Sequence, residues 1–592
     1  MPFEAIRKYK RVIPVILIIL SGFFIYANSL TGDFIWDDEA FIINNSYIKD
    51  WSKTGLVFTR DSGEGACTEL NFYRPIQLLS CMADYSLWGL NPFGYHLTCV
   101  MLHILVALAF YGLIRLLFAD TTLAFFSAML FLAHPVNTEA VSYISGRSDL
   151  LSALFLLLCL IFYVRAARQP KLSYLLFIFF SCLLAFLSKE NALIIVSVIL
   201  LYHCIFRVRI RRGVFFWPAA VSLLYMLARA VNLRSFFLGG DTVLRRIPGF
   251  FAAIAGYLRI LFLPLNLHMD YGNRVFPFSH PQVLCGAAVF LLLVFFALKV
   301  REKDRLLSFG LLWFIIALLP ANSIYPVNSF YMAEHWLYLP ALGFFLILAR
   351  QIVSLYRKRG LRACAAAVFA FLLCAYSYLT VRQNGYWESE EKLYGRVMEF
   401  NPGSYMAHNN LGNMYMREGD TEGAEREFLL AVKYNPDFLP AYCKALGIIY
   451  EKGEPDARDR ASLESMEANP ACARAYYKLG NSYYDRNDKE KSISLMRRAV
   501  ELDPGYFEAY NNLASSYAET GDTEEAVRLW EEAVRIKPEF AAAHFNLSVY
   551  YFQLKQYDLA IEHCDEVLRL GFEVDRRFLD ELEPFRKDAP PC

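Results

Sequence analysis

Long apolar runs, separated by short polar loops, occupy the first two thirds of this 592-residue chain. A helix needs roughly 20 apolar residues to cross the hydrocarbon of a bilayer, where it must satisfy its own backbone hydrogen bonds. Apolar runs that approach this length lie near 12–27, 94–118, 122–138, 149–166, 173–188, 191–207, 213–229, 248–264, 282–299, 306–320, 336–351 and 362–380. The pattern therefore predicts an all-α, polytopic membrane domain over residues 1–385.

Lysines and arginines in the short loops predict the orientation, because such loops stay on the cytoplasmic side. An acidic loop at 31–92 is expected outside. Alternating the sides along the chain places both ends of 248–264 outside, so we expect this segment to be re-entrant, interfacial or paired with an unrecognised segment. About eleven crossings follow, with the C-terminal part of the chain outside. The basic loops are 7–11, 165–171, 207–212, 299–305 and 350–362.

Beyond residue 385 the pattern becomes repetitive. Columns of Leu, Tyr and Ala keep a common spacing between prolines that recur every 34 residues, at Pro402, Pro436, Pro470, Pro504 and Pro538. A 34-residue helix pair with these columns is typical of the tetratricopeptide repeat, and such pairs stack into an α-solenoid with a concave binding surface. Residues 386–592 are therefore predicted to form about five repeats. The stretch 387–402 is expected to be a lone second helix that docks the array to the membrane domain.

Asparagines recur in the first predicted helix of several repeats. Two interpretations stay open, since exposed polar residues are common on any helix surface. The asparagines are either solvated or capping groups, or their amides hold the backbone of an extended acceptor peptide. The residues are Asn409, Asn410, Asn511, Asn512 and Asn546.

The net charge and the spacing of the cysteines indicate which classes of ligand to expect. A formal net charge of +1 gives no basis for a nucleic-acid partner. The 13 cysteines form neither a CxxC pair nor a Cys/His cluster at zinc spacing. The sequence therefore predicts no metal site of this kind.

Three consecutive acids, Asp37, Asp38 and Glu39, stand just outside the first apolar run, among aromatic and aliphatic residues. Partial burial and like-charged neighbours raise the pKa of a carboxyl group, which suits a general base near neutral pH. A solvated loop acid or a helix cap is the alternative. The acids become candidates for chemistry because other polar groups gather at the same predicted face.

Ionisable residues at the ends of membrane spans are costly and are therefore functional candidates. Arg74, Arg147 and Lys189 could bind a phosphate or pyrophosphate, although each alone could be a structural ion pair or an interfacial anchor. Together with the acids, these groups predict a polar cleft at the outer membrane surface. The other predicted members of the cleft are His134, Glu139, Asp149, Glu190, Asp270, Glu334 and His335.

The order of these motifs, followed by the repeats, resembles one family over nearly the whole chain: the transmembrane and tetratricopeptide-repeat O-mannosyltransferases and their bacterial relatives, of the GT-C glycosyltransferase class. The combination is specific, although no single motif is. The motifs are Trp36-Asp37-Asp38, Tyr73-Arg74-Pro75, His134-Pro135-Val136, Gly146-Arg147-Ser148-Asp149, Ser188-Lys189-Glu190 and Ala333-Glu334-His335-Trp336-Leu337-Tyr338-Leu339-Pro340.

The resemblance implies a GT-C-like membrane domain in which the family's acidic pair falls on Asp37 and Asp38. It also implies a polyprenyl-phosphate sugar as the donor and a protein hydroxyl, presented by the repeats, as the acceptor. His335 stands where the family usually has arginine, which puts any role of that arginine in doubt here. The repeat array is shorter than in the animal enzymes, which favours a bacterial homologue.

The expected reaction is inverting transfer of mannose or another hexose. One of Asp37 and Asp38 deprotonates the acceptor hydroxyl, while Arg74, Arg147 or Lys189 stabilises the departing lipid phosphate. This chemistry requires no cofactor or metal, although two adjacent carboxylates could hold a divalent cation.

Two other functions compete with the enzyme. A non-catalytic membrane scaffold for the repeats would not depend on Asp37 or Asp38. A transporter would favour ionisable groups near the middle of the membrane, whereas those here cluster at the ends of the spans. We expect the bacterial inner membrane with the repeats in the periplasm; the alternative is the endoplasmic reticulum membrane with the repeats in the lumen.

Overall fold

The computed structural model describes residues 2–66, 72–232, 240–272, 274–323, 331–436, 438–451 and 471–586. The chain divides into two compact units, Met1–Pro402 and Gly403–Cys592. All regular elements of the described residues are helical, as predicted from the sequence. Residues 387–402 fall in the first unit, and the predicted domain boundary at residue 385 stays a prediction.

The first unit is built mainly of long apolar helices. In chain order they are α1 (Pro2–Ile25), α2 (Thr54–Thr59), α3 (Pro75–Trp88), α4 (Pro92–Phe118), α5 (Thr121–Ala133), α6 (Thr138–Ser142), α7 (Arg147–Arg168), α8 (Leu172–Ser188), α9 (Ile195–Phe206), α10 (Arg212–Asn232), α11 (Gly240–Phe262), α12 (Pro281–Val300), α13 (Arg305–Ser323), α14 (Tyr338–Tyr356), α15 (Arg362–Tyr386) and α16 (Glu390–Phe400).

Five helical stretches of the described residues are long and apolar enough to cross a bilayer, and most of the other predicted segments are shorter apolar helices. The predicted segment 248–264 lies in α11 and is in neither group. Its unusual path and the count of about eleven crossings stay predictions. The five stretches are Pro92–Phe118, Ile144–Arg168, Pro281–Val300, Glu334–Tyr356 and Arg359–Tyr386.

Helices α4, α5, α7 and α14 pack together at the centre of the first unit. A buried histidine joins three of them: His103 Nδ1 lies 2.7 Å from the Tyr338 hydroxyl, and His103 Nε2 lies 3.2 Å from the Leu132 carbonyl oxygen. Helix α7 begins at Arg147, and Ser145, two residues before it, donates to Asp38 in the loop after α1. This packing places the loops at the ends of α1, α5 and α7 beside one another.

The loop after α1 is folded against its neighbours. The Asn45 side chain holds two parts of it, because its amide donates to the Ser62 carbonyl at 2.9 Å and its oxygen accepts from the Tyr47 backbone at 3.0 Å. The Asp33 backbone N–H donates to the Glu388 carbonyl at 2.9 Å. Residues 67–71 of the predicted outer loop lie outside the described residues.

The second unit consists of paired helices, as the 34-residue period predicts. An aspartate begins several of the second helices by accepting a bond from a backbone N–H, as Asp420 does from Gly423 at 2.9 Å. The second helix of the second repeat would fall on 452–470, outside the described residues. The helices are α17 (Tyr405–Glu418), α18 (Thr421–Tyr434), α19 (Leu439–Glu451), α20 (Ala471–Asp485), α21 (Lys489–Leu502), α22 (Phe507–Thr520), α23 (Thr523–Ile536), α24 (Ala541–Gln553), α25 (Tyr557–Arg569) and α26 (Arg576–Leu582).

Small residues at one repeat position allow these helices to pack closely. Ala424, Ser492, Ala526 and Ala560 occupy that position and are fully buried. A larger side chain would force the paired helices apart, because protein interiors leave little free volume. The repeat columns therefore correspond to packing contacts.

Close approach of α13 and α14 depends on glycine. A Cβ at Gly343 would overlap the Gly310 carbonyl oxygen and would lie 2.9 Å from the Phe314 nitrogen. We expect Gly343→Ala to lower the free energy of unfolding by about 1–3 kcal/mol, because backbone atoms cannot move aside cheaply. Thermal unfolding of the detergent-solubilised chain measures this effect. Gly213→Ala is the control, since a Cβ at Gly213 meets no atom within 4 Å; equal effects of the two changes would contradict the packing argument.

Candidate active site

Asp38 is fully buried and tied to the start of α7. Its Oδ1 accepts bonds from the Ser145 backbone N–H at 2.9 Å and from the Ser145 hydroxyl at 2.5 Å, and its Oδ2 accepts from the Ile35 backbone at 3.1 Å. Burial raises the pKa of Asp38 to about 7, although these bonds oppose the rise. The contacts occupy both carboxylate oxygens, so Asp38 is suited to holding the loop in place.

Asp37, the neighbouring acid, is only half-buried. Burial raises its pKa, while the Tyr143 hydroxyl and the positive charges of Arg74 and His335 lower it. A carboxylate that is reachable, partly desolvated and poised between these influences can accept a proton. The structure therefore separates two acids that the sequence could not tell apart.

The backbone at Trp36 aims Asp37. Trp36 has φ +55°, which is unusual for an aromatic residue and marks local strain. Its backbone N–H donates to Glu390 Oε1 at 3.4 Å. The Trp36 ring stacks on Tyr143 at 5.3 Å between ring centroids, and Tyr143 stacks on Trp387 at 5.7 Å. These contacts with α16 and its preceding turn hold the backbone at Trp36, directly before the two acids.

Two of the three predicted phosphate ligands form buried ion pairs within the protein. Arg147 lies 2.6 Å from Asp84, with the arginine side chain fully buried. Lys189 lies 2.7 Å from Asp149, and both side chains are 6% exposed. Each cation is therefore neutralised by a carboxylate at short distance. This arrangement is that of a structural ion pair, and the prediction that Arg147 and Lys189 bind a phosphate remains untested.

Arg74, the third predicted phosphate ligand, is held more loosely. Its guanidinium lies 3.5 Å from Glu190 and 3.4 Å from the Ser148 hydroxyl, and its buried Nε has no hydrogen-bond partner among the described residues. Its charge also acts on Asp37. Among the three predicted cations, Arg74 has the longest ion-pair distance, and its charge lowers the pKa of the candidate base.

A histidine–glutamate pair joins α6 to the turn that precedes α14. Glu139 Oε1 is 2.6 Å from His335 Nδ1, and Glu139 Oε2 accepts from the His335 backbone N–H at 2.8 Å. The adjacent Glu334 accepts bonds from the His268 backbone at 2.7 Å and from the Tyr271 hydroxyl at 2.6 Å. The structure thus brings the predicted residues Glu139, Glu334 and His335 together.

Three other predicted cleft residues have local structural contacts. His134 is fully buried, and its Nδ1 accepts from the Val136 backbone at 3.2 Å. Asp270 accepts from the Gly272 backbone at 2.7 Å, as a turn aspartate does. Glu39 is half-buried and accepts from the Asn44 amide at 3.3 Å. None of these contacts by itself directs the side chain to Asp37.

Sequence reasoning missed five residues of the site. Ser145 and Tyr143 lie beside the recognised Gly146-Arg147 motif, but no spacing rule distinguishes a hydroxyl that meets a residue more than 100 positions away. No local sequence pattern indicates that Asp84 is the carboxylate partner of Arg147. The same holds for Trp387, in the turn before α16, and for Glu390, the first residue of α16. The five are Asp84, Tyr143, Ser145, Trp387 and Glu390.

Among the described residues, no three His, Cys, Asp or Glu side chains are grouped as a metal site would require. Asp37 and Asp38 themselves have different surroundings, since both oxygens of Asp38 accept protein hydrogen bonds. The prediction that the reaction needs no metal stays a prediction.

The predicted asparagines form a network between repeats. Asn512 donates to Asn481 at 2.9 Å and to the Tyr477 hydroxyl at 3.0 Å, and Asn546 donates to Asn511 at 3.0 Å. Asn409 and Asn410, on α17, are paired at 3.1 Å. All five predicted asparagines lie inside helices, so the capping interpretation is wrong. The amides of Asn512 and Asn546 link consecutive first helices, and binding of a peptide backbone stays a prediction.

Comparison with known proteins covers both units. Residues 82–233 match the family model described as dolichyl-phosphate-mannose-protein mannosyltransferase. Residues 407–438, 480–521 and 511–571 match tetratricopeptide-repeat models. A crystal structure of MamA matches 27% of this chain and 94% of its own at 25% identity, with a TM-score of 0.20 that is too low to support an inference.

The similar curated proteins share one description. A protein O-mannosyl-transferase of Caenorhabditis elegans is 28% identical over 425 residues, which cover 68% of this chain and 60% of the relative. The human protein O-mannosyl-transferases TMTC2 and TMTC4 are each 25% identical, over 69% and 68% of this chain and 60% and 64% of their own lengths. The match thus spans about three fifths of these relatives. The resemblance predicted from the motifs is confirmed: the chain is similar to the protein O-mannosyltransferases that join a membrane domain to tetratricopeptide repeats.

Proposed function

We propose that this chain is a membrane glycosyltransferase that moves a hexose, with mannose the first candidate, from a polyprenyl-phosphate donor to a protein hydroxyl. The observation that carries the proposal is the geometry around Asp37. A half-buried carboxylate with a raised pKa lies beside a loosely paired arginine, in loops at the ends of apolar helices. A base next to a phosphate-binding cation is what transfer from a lipid phosphate needs.

In the proposed reaction, Asp37 accepts the proton of the acceptor hydroxyl. The acceptor oxygen forms a bond to the anomeric carbon while the bond from that carbon to the phosphate oxygen breaks. The lipid phosphate leaves with its electron pair, and the anomeric configuration inverts. Arg74 stabilises the charge that develops on the departing phosphate. Asp38 positions the base by holding the loop to Ser145.

The repeats would bind the acceptor protein, as concave helical arrays commonly bind extended peptides. The proposed setting is the bacterial inner membrane with the repeats in the periplasm. In a eukaryotic cell the corresponding setting would be the endoplasmic reticulum, with dolichyl phosphate as the lipid. In either case the active loops and the repeats are on the side opposite the cytoplasm.

Transfer of radiolabelled sugar tests this function. Membranes that contain the chain would be supplied with polyprenyl-phosphate mannose and, in parallel, with other polyprenyl-phosphate hexoses. Label in protein that depends on the expressed chain is expected with at least one donor. No transfer with any donor would favour the scaffold, in which the membrane helices only anchor the repeats.

The pH dependence should report the base. Protonated Asp37 cannot accept a proton, so kcat/KM should fall as the pH falls through the pKa of Asp37. Because burial raises that pKa, this loss should occur above the ordinary aspartate value of about 3.9. Initial rates in detergent across a pH series measure this fall in kcat/KM, which is the acidic limb of the pH profile. A limb at the ordinary value would instead point to a solvated acid as the base.

A further inference from the structure

Glu139 fixes the orientation of His335. The carboxylate meets both the backbone N–H and Nδ1 of His335, at 2.8 and 2.6 Å. The Glu139 side chain is 3% exposed, whereas the His335 side chain is 20% exposed. A proton on Nδ1 is therefore directed at Glu139. The described residues make no hydrogen bond to Nε2, so the second ring nitrogen remains available to a ligand.

Two buried carboxylates, Glu139 and Glu334, lie beside this position of the chain. A buried carboxylate is costly unless it is paired with a cation, and His335 is the ionisable partner that Glu139 contacts. Glu334, the residue directly before His335 in the chain, is also a buried acid.

A count of the cations near Asp37 shows where a phosphate could bind. Arg147 and Lys189 are neutralised in short, buried ion pairs. Arg74 and His335 both act electrostatically on Asp37, and both keep part of their hydrogen-bonding capacity. A phosphate that leaves next to the base must meet positive charge there, because its own charge grows in the transition state.

We propose that His335, held by Glu139, is a donor-binding residue that contacts the phosphate of the lipid-linked sugar together with Arg74. The inference rests on the proposed glycosyltransferase function and adds to it a specific donor-binding residue. When a phosphate binds and the ring carries a proton on each nitrogen, Nε2 of His335 would donate to a phosphate oxygen while Nδ1 donates to Glu139. Glu139 would act through His335 as a positioning residue. The ligand chemistry is a phosphate ester attached to a polyprenyl chain.

Charge-changing variants of the full-length chain in detergent test this role. We expect His335→Gln to raise the KM for the donor at least tenfold and to leave the KM for the acceptor unchanged. His335→Arg should restore most of the donor affinity, because arginine supplies N–H donors and a positive charge at the same position. Glu139→Gln should act in the same direction as His335→Gln. The control is His280→Gln. His280 is a half-buried histidine at the start of α12, where its Nδ1 accepts from the Gln282 backbone N–H.

Binding of farnesyl phosphate, a short polyprenyl phosphate without a sugar, provides a readout that does not need transfer. Titration calorimetry should show weaker binding by His335→Gln and near-normal binding by His335→Arg. Equal loss in both variants, or unchanged binding in His335→Gln, would overturn the role of His335. If the wild-type chain transfers sugar in an Asp37-dependent way but binds alike in all variants, only this inference fails. If the wild-type chain transfers no sugar, the proposed function fails first.

Discussion

Asp37→Asn is expected to reduce sugar transfer by about a hundred- to ten-thousand-fold, the usual contribution of a general base. The asparagine keeps the shape of the side chain but cannot take a proton from the acceptor hydroxyl. Because Asp37 is half-buried and the loop is held by other residues, the fold should persist. Initial rates with saturating donor, together with the thermal unfolding temperature of the same preparation, measure both effects.

Asp33→Asn is the matched control for this change. Asp33 lies in the same loop, and its side chain is exposed. Its structural contact uses the backbone N–H, which the substitution keeps. The control should retain wild-type rates. Equal rates for Asp37→Asn and Asp33→Asn would contradict a base at Asp37 and would return attention to Asp38.

Arg147→Ala should produce the largest loss of stability, about 3–5 kcal/mol in the free energy of unfolding. The change removes the fully buried guanidinium that lies 2.6 Å from Asp84 and leaves that carboxylate buried without its cation. The arginine also donates to the Tyr95 carbonyl at 2.9 Å, which would lose a bond. Denaturant or thermal unfolding in detergent measures the effect, and activity should fall with the folded fraction.

Lys392→Ala provides the comparison for an exposed ion pair. Lys392 contacts Glu388, and their side chains are 51% and 43% exposed, so the loss of this pair should lower the free energy of unfolding by about 0–1 kcal/mol.

A different outcome for Arg147→Ala would be informative. If that variant stays as stable as the wild type but loses affinity for the donor, Arg147 binds the phosphate, as the sequence predicts.

Much of the architecture could be predicted because it is written in local patterns. Helix α4 follows from one uninterrupted apolar run, since a segment in the bilayer must satisfy its own hydrogen bonds. The repeats follow from a 34-residue period, since each helix pair buries the same small residues, such as Ala424 and Ala526. Helix boundaries near 92–118, 172–188 and 281–300 agree closely with the predicted runs.

The sequence by itself determined the helical class, the two-part organisation and the candidate residues of the loops, because hydrophobic periodicity and repeated spacing are properties of neighbours in the chain. Only the tertiary structure decided their roles. Asp37 and Asp38 are adjacent and chemically identical, and what separates them is the contact of Asp38 with Ser145. Arg74 differs from Arg147 in its burial and in the distance to its carboxylate partner, 3.5 Å against 2.6 Å. Burial and charge pairing depend on residues distant in the chain, and electrostatic energies change steeply with both, so local sequence patterns cannot determine them.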